Sequence, residues 1–64
     1  MSDFKQRVQD EKSELDKKLA ALRSFLTDDI HHFDIEAEHA ELLAKQYYAM
    51  LHYSEILQKR IELL

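Results

Sequence analysis

Apolar residues recur along the first third of the chain at Val8, Leu15, Leu19, Leu22 and Leu26. Spacings of seven, four, three and four mark one stripe of an α-helix. As a heptad, Val8, Leu15 and Leu22 take the d positions, while Lys12, Leu19 and Leu26 take a. The pattern predicts a first helix over about residues 3–26, with Ser2 as its N-cap and Asp3 in its first turn, where the helix dipole favours a carboxylate. Pairs at i,i+4, Asp3 with Arg7 and Glu14 with Lys18, support it from outside. Thr27 to Asp34 breaks the period. There Ile30 and Phe33 read as apolar plugs closing a hairpin, and Asp34 as the cap of a second helix with Glu36 and Glu38 in its first turn.

The second helix is predicted over about residues 35–64. Its a positions are Ala40, Tyr47, Ser54 and Ile61, and its d positions are Leu43, Met50, Leu57 and Leu64. Its c positions, Leu42, Ala49, Ile56 and Leu63, are apolar as well, and Ala44 and Leu51 fill two e positions. At 100° per residue this arc spans roughly 200°, about twice the stripe that one neighbour covers. The fold class that follows is all-α: a single-domain antiparallel two-helix hairpin that assembles as a dimeric four-helix bundle or a higher oligomer. The subunit interface is expected at Leu42, Ala49, Leu51, Ile56, Leu63 and Leu64. A loop centred near His31 sets facing residue numbers to sum to about 62, which layers Val8 with Ser54, Lys12 with Met50, Leu15 with Tyr47, and Leu19 with Leu43.

Composition strengthens the helical reading. The 64 residues include no Gly, Pro or Cys. Turn-rich β folds need the first two, and helix interiors exclude them. Without disulfides, a core this small supplies only ~3–5 kcal/mol, so self-association is the expected reinforcement. The lack of cysteine and of an apolar leader points to a cytoplasmic address. No apolar run approaches the ~20 residues of a membrane span.

The net charge of −4 is unevenly placed: residues 27–41 hold six acidic side chains and no Lys or Arg. That block disfavours DNA, which needs a basic stripe. Neither a catalytic nor a metal site is expected. His31 and His32 are adjacent, and His39 and His52 lie thirteen apart, whereas helical metal pairs want i,i+3 or i,i+4. The acid pairs Asp28/Asp29 and Glu36/Glu38 have no burial to raise a pKa, and no glycine loop or nucleophile motif is present. No cofactor is implied.

One set carries chemistry suited to binding. Gln46, Tyr53 and Arg60 form a line at seven-residue spacing, with Tyr47 and Tyr48 beside it. Aromatic faces with a guanidinium suit a stacked base or a protein hot spot. The same tyrosines also fit a plain helix seam, their hydroxyls tied to Glu11 or to water. The candidate ligand residues are Arg7, Gln46, Tyr47, Tyr53 and Arg60, gathered across subunits.

The segments Phe4-Lys5-Gln6-Arg7-Val8, Glu11-Lys12, Glu14-Leu15, Ala49-Met50, Tyr53-Ser54-Glu55-Ile56-Leu57 and Arg60-Ile61 resemble a family of small helical phage and prophage proteins named for a crAss-like phage. Leu42-Leu43 and Gln46 fit too, whereas the acidic, His-containing 28–39 stretch departs from it. The resemblance implies a phage accessory protein that works in the host cytoplasm. By analogy with small oligomeric phage inhibitors of bacterial immunity, it implies sequestration of a nucleotide signal, a cyclic nucleotide or an ADP-ribose derivative. A protein–protein inhibitor or adaptor acting on a host protein, and a purely structural assembly element, stand as alternatives. The acidic block favours a protein partner over an anionic ligand.

Overall fold

The computed structural model describes residues 2–28 and 35–64. They form two helices, α1 (Ser2–Thr27) and α2 (Ala37–Glu62), packed against each other as a hairpin. The loop expectations for Ile30, His31, Phe33 and Asp34 lie outside the described residues. Among the described residues, no helix is long and apolar enough to cross a membrane.

Each helix end has a local cause. Ser2 lies inside α1 instead of capping it. At the other end, the Thr27 hydroxyl donates back to the carbonyls of Arg23 (3.0 Å) and Ser24 (3.2 Å) in the last turn. The cap of α2 is Glu36, two residues beyond the expected Asp34. Its backbone is extended (φ −68°, ψ 151°), and its carbonyl accepts the Ala40 N–H at 2.9 Å. Glu38 remains in the first turn, and Lys59 and Arg60 stand in the last, both matched to the dipole. Of the outer pairs, Glu14 meets Lys17 (3.5 Å) instead of Lys18, and Gln6 donates to Asp10 (2.8 Å).

The core consists of Val8, Leu15, Leu19 and Leu57, with Tyr47, Met50 and Ile61 packed against it. All seven are a or d residues of the heptads, so the phase of both helices is as the pattern predicts. The register is not. Ser54 Oγ donates to Asp16 Oδ1 at 2.6 Å. A residue opposite Asp16 cannot also layer with Val8, which lies eight residues, ~12 Å, away along α1. With the heptads kept, the bond sets facing a and d numbers to sum to 69. Val8 then layers with Ile61, Lys12 with Leu57, Leu15 with Ser54, Leu19 with Met50, Leu22 with Tyr47, and Leu26 with Leu43.

The displacement is one heptad. The expected register set polar Ser54 against Val8 and left Leu57 near the start of α1. The observed one brings Leu57 to the centre, with none of its surface exposed. Lys12 turns its ammonium outward to Asp16 Oδ2 (2.6 Å). That carboxylate therefore receives both a cation and the Ser54 hydroxyl. The two hydrogen bonds, Lys12 first, hold the Asp16 carboxyl below its ordinary value of 3.8. The helices are correspondingly staggered. The molecule is 48 Å long, whereas a 26-residue helix spans only ~39 Å.

Candidate ligand site at the loop end of the hairpin

Small side chains make room where the seam approaches the loop. Leu26 and Thr27 of α1 and Ala40, Ala44 and Tyr47 of α2 surround a cavity of about 390 Å³, with Arg23 and Tyr48 at its rim. That volume lies within the range of small-molecule sites. Ala40 and Ala44 stand one turn apart, and a leucine at either position would occupy much of the space. Register creates the site: Arg23 reaches Ala44 and Tyr47 because the helices align on Ser54 and Asp16.

The lining is chemically mixed. Tyr47 and Tyr48 meet edge to face, with centroids 5.5 Å apart and planes at 75°. Tyr47 is half-buried against the core, whereas Tyr48 is 68% exposed and offers a free ring face. Among the described residues no carboxylate pairs with the Arg23 guanidinium. An aromatic corner and a cation across a small cleft suit a planar ring that carries a negative group. A wider recess along α1, bounded by Lys12, Asp16 and Lys17, lacks such a cation, since Lys12 is bound by Asp16 and Lys17 by Glu14. Among the described residues, no group of His, Asp or Glu is placed to hold a metal ion.

The Sequestin family model matches residues 2–63. The chain belongs to the Sequestin family. No curated protein and no solved structure matches it. The Sequestin match spans nearly the whole chain, as the resemblance read from residues 4–61 does. It establishes the family and shows no link to phage.

Across this Sequestin hairpin the residues singled out in the sequence fall into separate places. Tyr47 joins the loop-end cavity. Gln46, Tyr53 and Arg60 run along the opposite edge of α2, where Gln46 Nε2 donates weakly to Met50 Sδ (3.8 Å) and Tyr53 is 42% exposed. Arg7 is exposed on α1, away from the cavity. Within one chain these five residues do not converge. Of the expected interface residues, Leu42 (58%), Ile56 (44%) and Leu63 (86%) are well exposed, as is Ala49. Leu51 and Leu64 are less so and stand off that row. Sequence reasoning missed Arg23 and Thr27. Their signal is the Ala40/Ala44 pair, which marks a gap only once the register is known.

Proposed function

We propose that this chain acts by binding, as a homo-oligomeric phage accessory protein that sequesters a nucleotide signal of host antiviral defence. The observation that carries the reading is the cavity between Arg23 and the Tyr47–Tyr48 corner. A base stacks on the exposed Tyr48 face while the guanidinium takes a phosphate oxygen through paired hydrogen bonds. The family name, Sequestin, is compatible with a sequestering role. A sequestering protein needs affinity and no catalytic group, and a homo-oligomer multiplies the number of clefts. The cyclic and ADP-ribose nucleotides are the expected classes. The acidic block over residues 27–41 opposes an anion, so a single guanidinium favours a ligand of low charge density, such as a phosphodiester, over a terminal triphosphate.

Calorimetric titration of the full chain with cyclic di- and trinucleotides and ADP-ribose derivatives tests this. Binding to at least one is expected, weakened about tenfold or more by Arg23→Ala and by Tyr48→Ala. If none binds, or both variants bind as the parent does, the reading fails. A second reading rests on the exposed acidic start of α2, where Glu36, Glu38 and His39 border a recess beside Leu42, Leu43 and Gln46. That surface fits a basic segment of a host protein. Capture of a host protein by the parent chain and its loss on Glu36→Lys with Glu38→Lys would favour it.

A further inference from the structure

The second apolar stripe of α2 carries a charge pairing that a row of exposed leucines does not require. At 100° per residue, Glu38, Leu42, Lys45, Ala49, Tyr53, Ile56, Arg60 and Leu63 lie within about 40° of one line, roughly 110° around the helix from the core-facing residues. The side chains are chemically complementary about Ala49. Reflected through Ala49, Glu38 meets Arg60, Leu42 meets Ile56, and Lys45 meets Tyr53.

We propose that this stripe docks a second copy of the chain, with the two α2 helices antiparallel about a two-fold axis at Ala49. The inference rests on the homo-oligomer in the proposed function and specifies its interface. Three observations support it. Every side chain in the stripe is exposed, including Leu42, Ile56 and Leu63. The accessible surface is 5216 Å², against roughly 4,300 Å² for a compact monomer of this mass. The excess of about 900 Å² is close to the ~800 Å² each partner buries in an interface of standard size. Charge fixes the direction. Antiparallel pairing sets Glu38 against Arg60 twice, whereas parallel pairing sets each against its own like charge. Methyl-sized Ala49 at the crossing lets the axes approach, as close helix packing requires.

The assignment gives Arg60 and Tyr53 a role apart from the loop-end cavity, and each copy keeps its own cavity. The dimer is tested without nucleotide, so its outcome and that of the ligand titration are independent. Sedimentation of the full chain should show a dimer at micromolar concentration. Arg60→Glu and Glu38→Arg should each weaken it about tenfold, and the double variant should recover most of the loss. Single-cysteine variants read the geometry. Under oxidation Ala49→Cys should form a disulfide-linked dimer, because the two copies meet there. Leu42→Cys should not, since its counterpart lies ~21 Å along the axis in the antiparallel arrangement. Helicity by circular dichroism identifies any variant that fails to fold. A monomeric parent, cross-linking of Leu42→Cys as readily as Ala49→Cys, or a double charge swap no better than the singles would each overturn the proposal.

Discussion

Replacing Leu57 with alanine separates the two registers that the heptads allow. In the observed alignment Leu57 is fully buried beside Val8, Leu15 and Leu19. Truncation removes three buried carbons, ~2.4 kcal/mol at about 0.8 kcal/mol each. The void left behind adds to this, giving roughly 3 kcal/mol, within the range for buried leucines. That is most of the ~3–5 kcal/mol a core of this size supplies. Leu43, only half-buried and layered with Leu26 close to the loop, should cost about 1–2 kcal/mol when truncated. A register summing to 62 reverses the order, because it places Leu43 in mid-seam opposite Leu19 and Leu57 beside Lys5. Urea melts followed at 222 nm for parent, Leu57→Ala and Leu43→Ala, each at several protein concentrations, measure both differences and remove the contribution of association. The register argument is falsified if Leu43→Ala costs as much as Leu57→Ala, or if Leu57→Ala costs less than about 1 kcal/mol.

Two further substitutions probe the polar clasp and the cavity. Asp16→Asn removes the carboxylate that binds Lys12 and Ser54, and with Asp16 partly exposed it should cost about 0.5–1 kcal/mol at neutral pH. Because folding lowers this carboxyl's pKa below 3.8, its contribution is complete well above that value. It fades as pH falls through 3.8 and is lost below the folded-state value. Parent and Asn variant should therefore converge in acid, and a difference that persists or grows there would contradict the assignment. Ala44→Leu should fill the loop-end cavity and abolish nucleotide binding while leaving the hairpin as stable as before, measured by calorimetry and thermal melting. Retained affinity would place the ligand elsewhere.

The helices and the residues facing the seam were legible because apolar side chains at a and d positions encode angle around a helix. The pattern says little about displacement along it. A heptad slid by seven residues presents the same classes of side chain, and only particular neighbours distinguish one alignment from the next. Here those neighbours are Ser54, which reads as a flaw in an apolar a row, and Asp16, which reads as surface. Their bond marks the alignment, and neither residue announces it alone. The start of α2 was misplaced for a related reason: Asp34 is the better capping residue by type, yet Glu36 takes the extended backbone at the junction. The cavity was illegible because it consists of what two alanines omit, opposite an arginine whose position depends on the register. Tyr47 and Tyr48 were visible as chemistry, but not the edge of the hairpin they serve.

The Ser54–Asp16 bond has a consequence for a site it does not touch. A slip of one heptad moves α2 past α1 by ~10.5 Å, enough to carry Tyr47 and Tyr48 away from Arg23 and dismantle the cavity. Alignment and occupancy are therefore thermodynamically linked. A ligand held by both helices selects the native alignment over any slipped hairpin, and weakening the mid-seam bond taxes affinity without altering a single contact to the ligand. The serine near the middle of the molecule acts as a gauge that keeps the two halves of a distant cleft in step.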